Sequence, residues 1–154
     1  MPREARAYQG HRAGLVSRLL AAGVDLGVAL SALVAIYAAW TALTFVLDPR
    51  GFTFPRPGPG VGWLVGMIVL TIYLAASWST TGRSYGSHLM GLRVVNPNGG
   101  RLRVAGAFVR AVFCVVFPIG LFWVAASREN RSVQDLVLRT SVIHDWSLRV
   151  PRKD

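Results

Sequence analysis

Residues 18–47, RLLAAGVDLGVALSALVAIYAAWTALTFVL, decide how this chain folds. Apart from Arg18 and Asp25, the segment is apolar, small or hydroxylic. As an α-helix rising about 1.5 Å per residue, its roughly thirty residues extend about 45 Å. The hydrocarbon core of a bilayer is about 30 Å thick, so the segment predicts a tilted transmembrane helix. We therefore expect an integral membrane protein.

The two charged residues of this segment share one face of the predicted helix. Arg18 and Asp25 are seven residues apart, which corresponds to two helical turns. Asp25 would lie roughly 10 Å deeper along the helix axis. An acid that faces lipid at that depth costs about 2.5–3.5 kcal/mol, so Asp25 is expected to face protein, water or a basic partner. It forms either an interhelical contact that fixes how helices dock, or a relay or ion site.

The composition of the whole chain agrees with a membrane protein. Of its 154 residues 53% are hydrophobic, and the mean hydropathy of +0.43 is too high for an ordinary soluble domain of this size. The net charge of +10 comes from basic residues that flank apolar runs and form no single patch, so no nucleic-acid partner is expected. The single cysteine, Cys114, excludes an internal disulfide.

Outside the first span, charge and composition predict the topology. Residues 1–17 form a basic leader that is expected in the cytoplasm. Residues 48–60 contain four prolines and three glycines and predict a short loop on the far side. Residues 61–79 have the length of a second span. Residues 80–103 hold four arginines and no acid, which predicts a return to the cytoplasm.

The cytoplasmic loop contains two short runs of β-prone residues. Leu92–Val95 and Arg101–Val104 flank the turn sequence NPNGG, and this pattern predicts a small β-hairpin. An isolated hairpin is marginal in water, so the hairpin should rest on the membrane surface or on a partner.

A third apolar region, residues 104–126, is interrupted by Pro118 and contains Arg110. Two topologies remain open: a single kinked span that leaves the C-terminus outside, or a re-entrant or hairpin arrangement that returns it to the cytoplasm. The basic C-terminal tail favours the returning arrangement. Arg110 either snorkels to the cytoplasmic headgroups or pairs with Asp25.

The C-terminal part predicts a short amphipathic helix on the membrane surface. Within residues 127–143, Ser132 can cap a helix that contains Asp135, followed by a short extended piece. The apolar stripe of this helix is formed by Val133, Leu136 and Val137. Residues 144–154 are polar and basic and are expected to be loosely ordered.

These patterns together predict an all-α membrane protein. It is a small helical bundle of two full spans and a Pro-broken third apolar region, with a short cytoplasmic β-hairpin and a C-terminal amphipathic helix. The membrane domain covers residues 18–143, between the leader and the tail. Basic side chains near the membrane can contact anionic headgroups. The candidates for such contacts are Arg83, Arg93, Arg101, Arg103, Arg128 and Arg131.

Three pieces of the sequence together resemble the RDD family, which is named for an arginine and two aspartates. Arg18 at the mouth of the first span, Asp25 seven residues into it and the late Asp135 match these positions. The loop TTGRSYGSHLMGLRVVNPNGG, residues 80–100, is similar to a glycine-bearing family segment that contains G-L-R-V-V. The stretch RENRSVQDLVLRTSVI, residues 128–143, is similar to the family's closing segment.

The chain departs from the family pattern at three positions. Gln134 stands where histidine is usual, so a His–Asp pair is missing at Asp135. Arg139 stands where glycine is usual, and His88 occupies a loop position that is often basic.

The resemblance implies a small multispan protein of a bacterial inner membrane with a role in transport. The first hypothesis is a non-catalytic accessory or assembly subunit of a larger transport complex, with other membrane subunits as partners. The second is a self-assembling ion or proton carrier that uses Asp25, and the third is a module that binds anionic lipid. No nucleotide-binding, CxxC or HExxH motif is present, and the three histidines are scattered, so we expect no enzyme, metal or cofactor.

Overall fold

The computed structural model describes residues 13–96, 99–118 and 132–145. The described part is mostly helical, as predicted. Its elements in chain order are α1 (Leu15–Leu47), α2 (Pro59–Thr80), α3 (Tyr85–Leu89), β1 (Leu92–Val95), α4 (Val104–Val116), α5 (Val133–Val137) and β2 (Ser141–His144).

The two predicted spans are present as long apolar helices. α1 has 33 residues and α2 has 22, and both are long and apolar enough to cross a bilayer. α2 begins at Pro59. Proline is tolerated there because the backbone amides of the first helical turn have no hydrogen-bond acceptor within the helix. The predicted loop contains no helix or strand over residues 48–58, and its last two predicted residues belong to α2.

The core lies at one end of these helices. The buried residues of α1 recur every three to four positions in its first half, which gives one buried face: Arg18, Ala21, Asp25 and Ala29. The buried residues of α2 are in its second half: Leu74, Ala75 and Trp78. The start of α1 and the end of α2 therefore share a core, and the opposite halves of both helices expose apolar side chains.

α4 packs mainly against α2. Ala107 and Ala111 are fully buried, and their small side chains allow close approach of the two helices. With 13 residues α4 extends about 20 Å, which is too short for a full crossing. The helix ends at Val116, because proline at position 118 disfavours helical backbone in the residue before it. The predicted second half of this apolar region, residues 119–126, lies outside the described residues.

The predicted β-hairpin is wrong. β1 pairs in antiparallel register with β2, with Leu92 opposite His144 and Val95 opposite Ser141. The turn after β1 does form, since the Asn96 side chain accepts a hydrogen bond from the Gly100 amide (2.8 Å). The chain then continues into α4, because the helical apolar pattern that begins at Val104 leaves no second strand there.

The C-terminal segment contains the predicted cap and extended piece. Ser132 Oγ accepts a hydrogen bond from the Asp135 amide (3.2 Å), and the Asp135 carboxylate accepts one from the Ser132 amide (3.3 Å). The extended piece is β2. α5 has only five residues, and a membrane-surface position for it stays a prediction. The tail is not loose where it is described, because His144 ends β2 and Asp145 is buried.

Candidate functional site

The core contains a buried ion triad built from three elements. Arg18 Nη1 on α1 donates to Asp135 Oδ2 on α5 at 2.5 Å. Arg110 Nη1 on α4 lies 2.7 Å from the other carboxylate oxygen of Asp135. Thr140 Oγ1 accepts a hydrogen bond from Arg110 and donates one to Asp135 (3.3 Å). The side chains of the three ions are at most 4% exposed, so Asp135 is held between two guanidinium groups away from solvent.

The electrostatics of the triad favour the charged form of Asp135. Burial alone raises the pKa of this carboxyl group. The charges of Arg110 and Arg18, together with the hydrogen bonds from both, outweigh burial and hold the pKa of Asp135 below its ordinary value. Asp135 is therefore an anion that joins the C-terminal segment to α1 and α4.

The triad also fixes where the C-terminal segment lies relative to α1. Arg18 lies one turn into α1, so its contact with Asp135 places residues 132–145 at the N-terminal end of that helix. A backbone hydrogen bond from the Ala13 amide to the Val142 carbonyl (2.9 Å) makes the same connection. The topology of the third apolar region stays a prediction, because residues 119–131 lie outside the described residues.

Asp25 forms a second, separate cluster. Its Oδ1 accepts hydrogen bonds from the Tyr73 hydroxyl on α2 and from the Gly86 amide on α3, both at 2.8 Å. Its Oδ2 accepts one from Ser84 Oγ at 2.5 Å. Asp25 thus connects α1, α2 and α3 through hydroxyl and amide donors. This arrangement agrees with an interhelical contact, and a relay or ion role for Asp25 stays a prediction.

Arg110 does not occupy either of its predicted positions. It is 4% exposed, so it does not snorkel to the headgroups, and its carboxylate partner is Asp135 rather than Asp25. Its guanidinium carbon also lies 5.2 Å from the centre of the Trp78 ring, within the range of a cation–π contact. The packing of α4 on α2 aims Arg110 at the C-terminal segment.

Glycines allow α3 to reach Asp25. A Cβ atom at Gly86 would collide with the backbone carbonyl oxygen of Ala21, so only glycine permits this approach of α3 to α1. Gly82 and Gly91, before and after α3, have φ of 75° and 62°, which favour glycine. Ser84 caps α3 by accepting a hydrogen bond from the Ser87 amide (3.3 Å).

A third ion cluster lies beside the sheet. Asp145 Oδ2 is 2.8 Å from Arg93 Nη1 and 3.0 Å from Arg83 Nη2. Arg93 is 7% exposed, so it is a partner of Asp145 and not a headgroup contact. Arg83 is likewise directed to Asp145.

The remaining predicted headgroup contacts are exposed or undescribed. Arg101 and Arg103 are exposed, and Arg101 Nη1 donates to the Thr80 carbonyl at the end of α2 (2.7 Å). Their headgroup role stays a prediction. Arg128 and Arg131 lie outside the described residues.

Several members of these clusters were not expected from the sequence. Ser84 had a usable signal, because serine is among the preferred residues at a helix N-cap. Tyr73 and Trp78 look like ordinary residues of an apolar span, and Asp145 like part of a polar tail. Thr140 lies in the stretch that resembles the closing segment of the family, with no role that the sequence indicates. Their roles depend on tertiary contacts between distant segments.

The described residues contain no group of three His, Cys, Asp or Glu side chains placed to hold a metal ion. Arg18, Asp25 and Arg110 line one cavity of about 290 Å³, whose wall is otherwise mainly apolar. The site can thus hold charges in fixed positions and accommodate an apolar group.

Two long apolar helices, joined at one end by buried ion clusters, define a small helical membrane protein. The model of the RDD family, a family of small membrane proteins, matches residues 12–139. This match covers most of the chain, which therefore belongs to the RDD family. A comparison with curated proteins finds no match, and a comparison with solved structures finds none either.

Proposed function

We propose that this protein is a non-catalytic accessory or assembly subunit of a larger membrane transport complex. The observation that carries the proposal is that the ionisable residues in the helical core contact partners within the chain. Asp25 is held by three donors, and Arg18 and Arg110 are held by Asp135. Residues fixed in this way connect helices, whereas a transport path needs groups that can exchange their partners.

The exposed halves of the two spans support the same role. α1 has no buried residue after Ala29, and α2 has none before Leu74. Large side chains there are exposed, for example Leu43 (55%) and Trp63 (76%). Two spans alone do not enclose a substrate path, so these faces contact lipid or other membrane subunits.

The test is recovery of the intact protein from its native membrane in mild detergent. We expect other membrane proteins in fixed stoichiometry, measured by native mass spectrometry. Gly62→Leu should reduce their recovery, because Gly62 is exposed in the first half of α2 with open space around it. Gly106→Leu is the matched control, since that glycine is also exposed with open space but lies on α4, outside the exposed halves of the two spans. A partner-free homo-oligomer would contradict the proposal.

The orientation is part of the proposal. The positive-inside rule places the arginine-rich loop after α2 in the cytoplasm of a bacterial inner membrane. The N-terminal end of α1 and residues 132–145 lie at the same end of the molecule, so they would face the cytoplasm as well.

An ion or proton carrier is the second candidate, because Asp25 lines the cavity together with two arginines. In proteoliposomes Asp25→Asn should then abolish flux of the coupled ion. Flux that is unchanged in this variant would exclude Asp25 as the coupling site.

A further inference from the structure

The helix α4 carries a row of apolar side chains on the face that points away from the protein. Ala107 and Ala111 are buried, whereas Val104, Phe108 and Val112 are 72%, 51% and 36% exposed. These three exposed residues follow one another at intervals of four, so they form one row along the helix. Because α4 packs on α2, which is a candidate membrane span, the row faces lipid.

The length of α4 matches one leaflet of a bilayer. Its 13 residues extend about 20 Å, and half of a bilayer with its headgroups is about 20–22 Å thick. Arg101 Nη1 donates to the Thr80 carbonyl, so the start of α4 lies level with the end of α2. α4 therefore begins at the level of the headgroups and ends near the middle of the membrane.

The surface at the start of α4 is positively charged. Arg101 and Arg103 are exposed, and neither forms an ion pair with a described residue. Within the described part of the chain the only exposed acid is Asp48, which follows α1 at the opposite end of the molecule. The other described acids are buried. An anion at the start of α4 is therefore attracted by two guanidinium groups and meets no exposed carboxylate.

We propose that α4 binds one anionic phospholipid of the surrounding membrane. Arg101 and Arg103 contact the phosphate, and one acyl chain lies along Val104, Phe108 and Val112. Guanidinium groups suit this role because they form charge-assisted hydrogen bonds with phosphate oxygens. The charged start and the apolar row match the two parts of a lipid that occupies one leaflet.

This site is narrower than the general headgroup contacts predicted from the sequence. Arg83 and Arg93 are paired with Asp145, which leaves Arg101 and Arg103 as the described candidates. The apolar row adds a place for the acyl chain, so the site favours a lipid over a free phosphate. The proposal does not depend on the subunit role.

The first test is native mass spectrometry of the full-length protein, which is delipidated and then titrated in mild detergent. The lipids are phosphatidylglycerol, which is anionic, and phosphatidylcholine with the same acyl chains. One basic side chain beside an anionic headgroup strengthens binding about fivefold, so two should give the first phosphatidylglycerol a roughly thirtyfold higher affinity. Equal affinity for the two lipids would overturn the proposal.

Matched double variants locate the headgroup. Arg101→Gln with Arg103→Gln should lower the affinity for phosphatidylglycerol to that for phosphatidylcholine, whereas Arg101→Lys with Arg103→Lys should keep most of the preference because the charge remains. Arg50→Gln with Arg56→Gln removes the same charge from two exposed arginines between the spans and should bind as the wild type does. A wild-type preference in the first pair, or an equal loss in both glutamine pairs, would overturn the assignment. Size-exclusion chromatography establishes that each variant is folded.

A photo-crosslink locates the acyl chain. In nanodiscs with equal amounts of the two lipids, p-benzoylphenylalanine in place of Phe108 should crosslink to phosphatidylglycerol at least about ten times as often as to phosphatidylcholine. The same group in place of Leu43, which is 55% exposed in the second half of α1, should crosslink to both lipids equally. Equal crosslinking to both lipids at position 108 would contradict a lipid site on α4.

Glycerol 3-phosphate distinguishes a lipid from a free phosphate ester. It carries the phosphate but no acyl chain, so a large excess should leave the crosslinking at position 108 unchanged. If the enrichment of phosphatidylglycerol is lost, the arginines bind a free phosphate ester and the lipid assignment is wrong. Loss of partner recovery in the pull-down experiment would leave these lipid measurements unchanged, so the two proposals fail independently.

Discussion

At the scale of single residues, the stability of this protein depends on how Asp135 is paired. A carboxylate buried between Arg18 and Arg110 offsets part of the cost of burying both arginines. Removing the carboxylate leaves two buried positive charges with no anion between them. A residue that is 1% exposed and ten positions from the end of the described residues thus determines whether three segments stay together.

Asp135→Asn should therefore lower the free energy of unfolding by about 3–5 kcal/mol. Thermal or denaturant unfolding in detergent measures the change. Asp48→Asn, at an exposed position after α1, is the control and should be close to neutral. Equal stability of Asp135→Asn and wild type would show that the ion pairs contribute nothing.

The pH dependence of this difference follows from the lowered pKa of Asp135. The pKa of Asp135 in the folded state lies below its unfolded value of about 3.9. The charged carboxylate therefore contributes its full stabilisation above that pH. The stabilisation is lost as pH falls further, towards the folded pKa. The stability gap between wild type and Asp135→Asn should be constant from pH 7 to about 5 and shrink below about 4. A gap that stayed constant down to pH 3 would contradict the carboxylate as its cause.

At position 139 the backbone has a conformation that favours glycine, which is the residue usual there in the family pattern. Its φ of 50° lies in the left-handed region, where the RDD pattern has glycine. Because this conformation costs an L-residue about 1–2 kcal/mol, Arg139→Gly should raise stability by about 1 kcal/mol. Gly99→Ala is the converse control, since Gly99 has a φ of 78° and open space, and it should destabilise. Unfolding midpoints of the two variants test both signs.

At the scale of elements, the sequence predicted helices well and strand pairing poorly. α1 and α2 follow from length and composition alone, so their bounds agree closely with expectation. β1 has four buried residues and needs a partner, but its partner β2 begins 46 positions after β1 ends. A pairing over that distance leaves no local signal in the sequence, whereas the nearby NPNGG turn is such a signal. Arg110, the second partner of Asp135, lies 25 positions from it and gave no local signal either.

The packing of α3 on α1 gives a prediction at this scale. Gly86→Ala should destabilise by about 1–3 kcal/mol, because the added methyl group must displace backbone rather than a flexible side chain. Gly106→Ala is the control on α4, where no atom opposes the new Cβ and alanine is the better helix former. Unfolding in detergent should therefore rank Gly106→Ala above wild type and Gly86→Ala below it. Equal destabilisation by the two changes would contradict the close approach at Gly86.

At the scale of the whole molecule, the buried clusters lie at one end and the exposed apolar halves at the other. The resemblance identified Arg18, Asp25 and Asp135 as one group, whereas the structure divides them between the triad and the α3 contact. Composition and spacing indicate which residues are costly in a membrane. They do not indicate which hydrogen-bond donors pair with each of these residues, because those donors belong to other segments of the chain.

A reporter fused after Asp154 tests the molecular arrangement in intact cells. The reporter is an enzyme that is active only in the cytoplasm, and we expect it to be active. Residues 132–145 lie beside Arg18, which is predicted to be at the cytoplasmic end of α1. A reporter fused before Met1 should give the same result. Signals on opposite sides of the membrane would contradict the contact between α5 and the start of α1.

The pairing of Arg18 with Asp135 also determines the order of membrane insertion and folding. The two residues are 117 positions apart, and β2 begins 46 positions after β1 ends. While the ribosome is still synthesising residues 132–145, both long helices have already been made, and Arg18 and β1 still lack their partners. Insertion into the membrane therefore precedes the closure of the core, and the protein is most vulnerable to degradation during that interval.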